Sequence, residues 1–385
     1  MKFLVLGAGL MGRAIALDLA RSHPENEVLL TDIDEERAIA VAKTIAATVD
    51  GAKISSAKLD VAYYDDVVAT MSGMDAMIGA VSYHHNYMLS KAAIEAGSHY
   101  LDLGGNNEVV ERQMTLGPLA AKAGVLIVPN CGLAPGMACV LAAGGAKQFE
   151  QLDAIRIRVG GLPQHPRPPL NYELFFAPDG LINEYIEPAE IIHEGYRKQV
   201  ESLTAIEEIV FAPPFGAMEA FNTSGGASTL TRMFEGRIKE LDYKTIRYKG
   251  HCEKFKLLFD LGFASSEPIM IGDGVRTARE LFTDLLRKKL TGDGRDVVLL
   301  RVTITGRTDS KNHSLAYEMI DYYDDGNQTS AMMRTTAFPT SIIAQMVVRK
   351  EIDARGVFPP EQCVPAGRLV QELKQRNVII KESKT

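Results

Sequence analysis

Residues 3–22 read FLVLGAGLMGRAIALDLARS, and residues 28–32 read VLLTD. An apolar run, a glycine turn, a helix-like segment, a second apolar run and an acid follow one another there. This is the order of a dinucleotide-binding βαβ unit, in which the phosphates lie at the start of the helix. A glycine turn in an ordinary α/β domain is the alternative. The position of the acid favours the nucleotide site.

The three glycines of this turn have different predicted tasks. Gly7 allows a tight turn, Gly9 leaves room for the pyrophosphate, and Gly12 lets the helix lie close to the strand. Backbone N–H groups at the helix start, at Leu10 and Met11, together with the positive end of the helix, suit phosphate groups. We therefore predict that these five residues bind the cofactor.

The acid that ends the second apolar run bears on the choice of cofactor. Asp32 stands twenty residues after Gly12, where a carboxylate accepts hydrogen bonds from a ribose diol. Its charge would repel a 2′-phosphate, so the sequence predicts NAD rather than NADP, with Ile33 as a further contact. Arg37, close by in sequence, keeps NADP open.

Length, charge and cysteine content bound the class of protein. A chain of 385 residues predicts two domains, and a formal net charge of −7 argues against a nucleic-acid partner. The four cysteines form no CxxC pair and have no metal-ligand spacing. We therefore expect a cytoplasmic protein with reduced thiols and no metal. No run is long enough to span a membrane, and the apolar run near Phe3 is too short for a signal sequence.

Strands and helices alternate through the first third of the chain. Six apolar runs, the last at Val125–Val128, predict an α/β fold with a doubly wound parallel Rossmann sheet. A helix is expected to start at Pro135. Ligands of such sheets bind beyond the carboxyl ends of the strands. Further cofactor contacts are therefore predicted at Asp60, Val61, Ala80, Val81, Ser82 and Leu103.

The pattern then changes to that of a second domain. Alternating apolar residues at 155–159 and 298–304 predict strands, the latter leading through a turn at Asp309 into a hairpin, and helices lie between them. An apolar helix at Thr340–Arg349 and a frayed tail at Lys381–Lys384 follow. We predict a Rossmann domain at residues 1–135, an inserted α+β substrate and dimerisation domain at 136–330, and C-terminal helices at 331–385 that pack back on the Rossmann domain.

Three side chains are predicted to take part in catalysis. Tyr83 follows the fourth strand and could reach the nicotinamide. Asp102 ends the fifth strand, where low dielectric raises the pKa of a carboxyl, and capping of the next helix is its alternative. His251 lies at a predicted helix start, where an imidazole can exchange protons near neutral pH. An incidental charge at a surface helix is the alternative for His251.

Four further residues are predicted to bind the substrate. Arg247 can hold a carboxylate with two parallel hydrogen bonds. Ser224 and Thr229 belong to the hydroxyl-rich segment TSGGAST, which suits an anion, and a structural loop before a capped helix is equally compatible. Cys131 follows the sixth strand, and simple packing of a free cysteine is its alternative.

Several longer motifs occur in one order along the chain. They are GAGLMG with the acid at position 32, IGAVSYHHN, YLDLGGN, VPNCGLAPG, VGGLPQHPRPPLNYE and RYKGHCEKFKLL. With these motifs the chain resembles the saccharopine dehydrogenase-like family, and within it the lysine 6-dehydrogenases. The GxGxxG part is generic, whereas the VGGLP…PPLNY and RYxGH patterns are specific. The resemblance covers almost the whole chain.

The resemblance implies a homodimer that oxidises the ε-amine of lysine with NAD. The product is 2-aminoadipate 6-semialdehyde, which cyclises to piperideine-6-carboxylate. Two positions depart from the saccharopine reductases of the family. These usually have an acid where this chain has Ala134, and the loop at Ser224 lacks their Asn-Arg-Asp-Ser character. The second departure favours a smaller substrate such as lysine.

The implied chemistry suits the predicted residues. An amine must be neutral before its carbon loses hydride, and a lysine ε-amine has a pKa of about 10.4, so a base such as His251 or Asp102 is required. Arg247 would hold the α-carboxylate. Two alternatives stay open. One is a saccharopine- or carboxyspermidine-type dehydrogenase that reduces an imine, and the other is a non-catalytic NAD-binding sensor.

Overall fold

A computed structural model of the chain describes residues 1–176, 178–271 and 274–385. The chain forms two compact units, residues 1–144 with 333–379 and residues 145–332 with 380–385. The second unit therefore interrupts the first in sequence. Both main boundaries fall inside helices, at Ala138–Ala146 and Ala331–Val348, whereas the sequence pattern changes near residues 135 and 330.

The first part of the chain alternates strands and helices. Its elements are β1 (Lys2–Leu6), α1 (Leu10–Ser22), β2 (Glu27–Asp32), α2 (Glu35–Thr48), β3 (Lys53–Lys58), α3 (Tyr64–Met71), β4 (Ala76–Gly79), α4 (Asn86–Ala96), β5 (His99–Asp102), α5 (Asn107–Met114), α6 (Gly117–Lys122), β6 (Leu126–Val128) and α7 (Ala138–Ala146).

The remainder of the chain contains most of its antiparallel strands. Its elements are β7 (Gln151–Pro163), α8 (Pro178–Ile186), β8 (Ala189–His193), β9 (Tyr196–Val200), β10 (Glu207–Phe211), β11 (Gly216–Asn222), α9 (Leu230–Phe234), β12 (Glu240–Arg247), α10 (His251–Asp260), β13 (Pro268–Ile271), β14 (Gly274–Thr277), α11 (Ala278–Lys289), β15 (Asp296–Thr308), β16 (Lys311–Tyr322), α12 (Ala331–Val348), β17 (Gly356–Val357), α13 (Pro360–Cys363), α14 (Ala366–Gln375) and β18 (Ile380–Lys384).

The described strands of the first unit form a parallel sheet in the order β17-β6-β5-β4-β1-β2-β3. The predicted doubly wound Rossmann sheet is thereby confirmed. Residues 3–6 of β1 are fully buried because α-helices cover a parallel sheet on both faces. Since β1 pairs with both β2 and β4, the loops after these three strands meet at one edge, where such sheets bind ligands.

The helix expected at Pro135 begins three residues later, at Ala138. Gly136 adopts φ +132°, and a Cβ there would press against the backbone of Asn130 and Cys131. The segment Leu133–Met137 therefore forms a non-helical turn that closes on the end of β6. A glycine in this conformation cannot continue an α-helix.

The second unit is built on a mixed sheet with the main path β10-β11-β12-β7-β15-β16-β18 among the described strands. β12 is parallel to β7, and β15 forms the predicted hairpin with β16 around Asp309. The frayed tail expected at Lys381–Lys384 was a wrong prediction, because β18 pairs with β16 and places Ile380 opposite Met319. Within the described ranges, no helix is long and apolar enough to cross a membrane.

Candidate functional site

The glycine turn after β1 depends on contacts that only glycine allows. Gly7 has φ +98° and donates its N–H to the carbonyl oxygen of Thr31 at 2.8 Å. A Cβ on Gly7 would press against the carbonyl oxygen of Ala80, and one on Gly12 would overlap the carbonyl oxygen of Gly7. These two glycines therefore let α1 and the loop after β4 approach β1 closely.

Among the three glycines of this turn, Gly9 is the one that borders open space. A Cβ on Gly9 would meet no described atom within 4 Å. Gly9 precedes α1, whose start has no side-chain cap and no acid in its first turn among the described residues. The first N–H groups of a helix lack intrahelical partners, so Leu10 and Met11 present theirs at this opening. The residues fit the pyrophosphate of a dinucleotide.

Asp32 is buried, and its carboxylate stabilises the glycine turn. Its Oδ2 accepts a hydrogen bond from the N–H of Ala8 at 2.7 Å, and its Oδ1 accepts one from the N–H of Asp34 at 2.9 Å. A carboxylate has about four acceptor positions, so Asp32 can also bind a ribose hydroxyl. Nη1 of Arg37 lies 4.0 Å from Asp32 Oδ1, which places a cation beside this acid.

The other predicted cofactor residues lie along the same edge of the sheet. Leu10 and Ile33 keep about three fifths of their surface exposed beside the glycine turn, as suits side chains that pack on a nucleotide base. The residues that follow β3, β4 and β5 are all at least partly exposed; they are Asp60, Val61, Ala80, Val81, Ser82 and Leu103.

Tyr83 follows β4 and Asp102 ends the neighbouring strand β5, but the two side chains differ in solvent access. Tyr83 is half-buried in a short 3-10 turn and packs against Gly105, where a Cβ would lie 3.1 Å from the Cβ of Tyr83. Asp102 is fully buried. Its Oδ1 accepts hydrogen bonds from the N–H groups of Gly104 at 2.8 Å and Asn130 at 3.2 Å. These contacts tie together the loops that follow β5 and β6.

The second oxygen of Asp102 is also occupied, since it accepts a hydrogen bond from Nε2 of Gln113 at 2.7 Å. Burial raises the pKa of Asp102, although these hydrogen bonds oppose the shift. Helix capping, the alternative role for Asp102, is carried out by Asn106, which caps α5. Cys131 is fully buried too, and its thiol donates to the carbonyl oxygen of Val128 at 3.2 Å. Its contacts are those of a packed cysteine.

In the second unit, Arg247 is a buried cation without an acid partner. Its side chain donates from Nε to Oη of Tyr185 at 2.8 Å and from Nη1 to the carbonyl oxygen of Ile246 at 2.9 Å. Nη2 has no hydrogen-bond partner, and no carboxylate lies within 4.0 Å, in the part of the chain that the structure describes. Arg247 is only 3% exposed. Because unpaired buried charges are costly, such a group indicates an anionic ligand.

Aromatic residues surround this guanidinium. The ring of Tyr172 lies 4.8 Å and that of Tyr185 lies 5.8 Å from the guanidinium carbon of Arg247. Burial favours a lower pKa for Arg247, but its interactions with Tyr185, Tyr172 and Glu184 outweigh burial and raise the pKa. The hydroxyl of Tyr172 is buried and has no hydrogen-bond partner among the described atoms. Tyr172 belongs to the PPLNYE part of the VGGLPQHPRPPLNYE motif, which alone predicted no role for it.

His251, at the first position of α10, joins the same network. Its Nδ1 lies 3.0 Å from the carbonyl oxygen of Leu170, and its Nε2 lies 3.0 Å from Oη of Tyr185. A carbonyl only accepts, so Nδ1 carries the proton and Nε2 accepts from Tyr185. Burial and the charge of Arg247 lower the pKa of His251 to about 3. His251 is therefore neutral and orients Tyr185 toward Arg247.

Glu219 holds His251 in this position, and sequence reasoning missed it. Its two carboxylate oxygens accept hydrogen bonds from the N–H groups of Gly250 at 2.8 Å and Cys252 at 2.7 Å, at the start of α10. A carboxylate in this place satisfies N–H groups that the helix leaves open and complements its dipole. The only available signal was an acid in β11, too far along the chain to link with the RYKGH motif.

The hydroxyl-rich loop lies beside an acid that sequence reasoning also missed. Oε1 of Glu184 accepts hydrogen bonds from the hydroxyls of Thr245 at 2.6 Å and Thr223 at 3.3 Å. Ser224 donates its N–H to the carbonyl oxygen of Glu184 at 2.9 Å. Thr229 is half-buried just before α9. The described residues include no group of three or more acids, histidines or cysteines that could hold a metal ion.

Fold and site together define a class of protein. The first unit has a doubly wound sheet whose glycine turn fits a dinucleotide, and the second holds a buried guanidinium among hydroxyl groups. These are the parts of a dinucleotide-dependent oxidoreductase with a separate substrate domain.

The family follows from comparison with known proteins. Residues 3–128 match the saccharopine dehydrogenase NADP binding domain, and residues 132–379 match the saccharopine dehydrogenase C-terminal domain. The chain belongs to the saccharopine dehydrogenase family. It is therefore an oxidoreductase, and its first unit is an NAD(P)-binding domain. The resemblance to this family is confirmed.

Curated relatives share modest identity with the chain. The mitochondrial alpha-aminoadipic semialdehyde synthase of Rattus norvegicus is 20% identical over 464 residues, and that of Mus musculus is 22% identical over 387 residues. These alignments cover 100% and 82% of this chain but 48% and 41% of the relatives. The chain thus spans about half the length of the curated relatives it matches.

A solved structure has the same fold. Saccharopine dehydrogenase (L-Glu forming) from Saccharomyces cerevisiae aligns with a TM-score of 0.81 at 18% identity, over 100% of this chain and 99% of that one. At this identity the likeness concerns the fold, and it agrees with the inserted mixed-sheet unit.

Proposed function

We propose that the chain catalyses the NAD-dependent oxidative deamination of L-lysine at its ε-carbon. The observation that carries the proposal is the buried guanidinium of Arg247, which has no acid partner among the described residues. The other buried cations among the described residues of the mixed sheet, Arg158 and Lys244, are both paired with acids, namely Glu207 and Asp242. A single cation suits the one carboxylate of lysine better than the three carboxylates of saccharopine. This substrate is the one implied by the loop chemistry at Ser224.

The proposed reaction divides between the two units. A bound nicotinamide accepts hydride when the dinucleotide occupies the first unit. Arg247 holds the α-carboxylate of lysine, with Ser224 and Thr229 as further contacts. Tyr83 is the predicted catalytic residue that is partly exposed, so we assign it the transfer of the substrate proton to water. Overall, lysine, NAD⁺ and water give 2-aminoadipate 6-semialdehyde, ammonium, NADH and a proton.

The remaining predicted residues receive positioning roles in this proposal. Asp102 and His251 have both polar ends of their side chains engaged. Asp102 fixes the loops of the nucleotide edge, and His251 fixes Tyr185. Cys131 is the least supported of the predicted substrate residues, because its thiol is fully buried and donates to the carbonyl oxygen of Val128.

NAD is the proposed cofactor because Asp32 brings a negative charge to the ribose position. Its carboxylate would repel a 2′-phosphate and would lose hydrogen bonds to the ribose diol. The matching family model is described as NADP binding, and Arg37 is the residue that would hold a 2′-phosphate. Assays with both cofactors therefore belong to every test of the proposal.

A saccharopine-type dehydrogenase is the second candidate. Family membership itself favours this reaction. The two candidates differ in what they require, since only the saccharopine-type reaction needs saccharopine or a mixture of lysine and 2-oxoglutarate. The same membership argues against a non-catalytic NAD-binding sensor.

A panel of substrates tests the proposal. The purified protein is given lysine with oxidised cofactor, saccharopine with oxidised cofactor, or lysine plus 2-oxoglutarate with reduced cofactor, and absorbance of the reduced nicotinamide is followed. The proposal expects turnover with lysine alone. Turnover confined to the other two mixtures supports the second candidate.

We also propose a cytoplasmic homodimer. Large apolar side chains stay exposed between residues 257 and 285; they include Leu257, Leu261, Met270, Val275 and Leu285. Such surfaces are typical of interfaces between subunits. The cytoplasmic location rests on the sequence, in which the four cysteines form no CxxC pair.

A further inference from the structure

The carboxylate of Glu184 and the guanidinium of Arg247 lie near each other without forming an ion pair. Thr245 and Arg247 are two residues apart on β12, so their side chains lie on the same face of the strand. The hydroxyl of Thr245 donates to Oε1 of Glu184 at 2.6 Å, and Nε of Arg247 donates to Tyr185, the next residue of the same helix, at 2.8 Å. Glu184 and Arg247 are thus neighbours, yet no ion pair within 4.0 Å joins them in the described structure.

Each of these two side chains has one polar atom without a hydrogen-bond partner. Oε2 of Glu184 and Nη2 of Arg247 have no hydrogen-bond partner among the residues described. The buried hydroxyl of Tyr172, whose ring lies 4.8 Å from the guanidinium carbon, is open as well. Buried polar atoms are nearly always hydrogen-bonded. Of these three atoms, the Tyr172 hydroxyl is the fully buried one, while Glu184 is half-buried. A buried hydroxyl without a partner, next to an acid and a cation that do not pair, indicates a polar ligand.

We propose that Glu184 and Arg247 form a clamp for the α-amino-acid group of the substrate. Oε2 of Glu184 accepts from the α-ammonium, Nη2 of Arg247 donates to the α-carboxylate, and the hydroxyl of Tyr172 donates to the same carboxylate. Ammonium and carboxylate on one carbon need an acid and a cation near each other, and the contacts of Thr245 and Arg247 on one face of β12 bring Glu184 and Arg247 together. The clamp makes the enzyme specific for α-amino acids over simple amines and acids.

The surrounding contacts keep Glu184 and Arg247 apart. Thr245 and Thr223 hold Oε1 of Glu184, while Tyr185 and the carbonyl oxygen of Ile246 hold Arg247. Collapse into a direct ion pair would break these hydrogen bonds. Because the two side chains are held in place before a ligand binds, the cost of ordering them around a zwitterion is lower.

The inference rests on the proposed function only in taking an amino acid as substrate, and its test avoids turnover. L-norleucine carries the α-amino-acid group of lysine but no ε-amine, and hexanoate lacks the α-amine as well. Calorimetric titration gives the Kd of each ligand for the full chain, for Glu184→Gln and for Glu208→Gln. Glutamine still accepts from Thr245 and removes the charge. Glu208 forms an exposed ion pair with Lys249 and is the control for a lost carboxylate.

The unmodified chain and Glu208→Gln are expected to bind L-norleucine roughly 10- to 100-fold more tightly than hexanoate, as for a hydrogen-bonded charge. In Glu184→Gln the two Kd values are expected to converge, because only norleucine loses affinity. Equal weakening of both ligands in Glu184→Gln, or no preference in the unmodified chain, would overturn the clamp. Preference for norleucine without oxidation of lysine would refute the proposed reaction and leave the clamp intact.

Discussion

At the scale of single residues, the buried position of Arg247 lowers the stability of the fold, and the proposed function gives a reason for it. Removing a guanidinium from water without an acid partner is costly, and the Tyr185 hydroxyl and the two aromatic rings offset only part of that cost. In the proposed function, the carboxylate of the substrate offsets the rest of that cost. The same reasoning predicts which part of the substrate a change at Arg247 affects.

Arg247→Lys keeps the charge but loses the planar fork and the hydrogen bond to Tyr185. We expect the KM for lysine to rise roughly 10- to 100-fold, since a hydrogen bond to a charged group is lost. The kcat should change by only a few-fold because Arg247 does not touch the reacting carbon. Steady-state kinetics with lysine and with cadaverine, which has no carboxylate, provide the comparison. An equal loss with both amines would contradict the assignment.

His251 gives a prediction for stability against pH. Its pKa is about 3 in the folded chain and 6.5 ordinarily, so between these values the unfolded chain binds a proton that the folded chain does not. The stability that neutral His251 contributes is complete above the ordinary pKa. It is lost as pH falls, by about 1.4 kcal/mol per pH unit.

Urea unfolding of the unmodified chain and of His251→Asn, between about pH 7 and about pH 5, measures this effect. The asparagine side chain does not titrate, so the variant should lose less stability on acidification, although it is less stable at neutral pH. The informative quantity is the slope of the free energy of unfolding against pH. Identical slopes in the two proteins would mean that His251 titrates alike in the folded and unfolded states.

At the scale of elements, the start of α1 separates a structural glycine from a binding glycine. A Cβ on Gly12 would overlap the carbonyl oxygen of Gly7, whereas a Cβ on Gly9 would meet no described atom within 4 Å. Gly9 has φ −71°, which alanine adopts without strain. The two positions therefore form a matched pair for one and the same substitution.

Gly12→Ala should destabilise the chain by about 1–3 kcal/mol, as for overpacking of a core. Gly9→Ala should keep the melting temperature within a few degrees and weaken NAD binding by roughly tenfold or more, because its methyl group occupies the place of the pyrophosphate. Thermal unfolding and fluorescence titration with NADH distinguish the two outcomes. Unchanged NADH affinity in Gly9→Ala would place the phosphates elsewhere.

At the scale of the whole molecule, prediction from sequence succeeded where structure is local. The glycine turn and the hairpin at Asp309 involve residues close together in the chain. The turn at Leu133–Met137 escaped prediction because it depends on the φ of Gly136 and on packing against Asn130 and Cys131. Pairing of β18 with β16 depended on a partner far back in sequence.

The candidate site shows the same limit. Arg247 and His251 were predicted because RYKGH is a short motif with distinctive residue types. Tyr185 and Glu184 lie 62 and 61 residues from their partners Arg247 and Thr245, and no local pattern marks them. Only the fold of the second unit brings these side chains together.

The exposed apolar residues of the second unit give a prediction about assembly. Leu261 is 68% exposed at the end of α10. If the region covers a subunit interface, Leu261→Glu should convert a dimer to a monomer, since it introduces an unpaired charge there. Sedimentation velocity measures the change, and Tyr196→Glu, at an exposed position on β9, is the control. A monomer in the unmodified chain would refute the dimer.

The central claim is that lysine alone is oxidised and releases ammonia. The direct test incubates the protein with L-lysine and NAD, without 2-oxoglutarate, and measures NADH by absorbance and ammonia by an independent assay. The account predicts that both products form in equal amounts. If lysine yields neither product while saccharopine reduces the cofactor without releasing ammonia, the claim is contradicted and the saccharopine-type reaction takes its place.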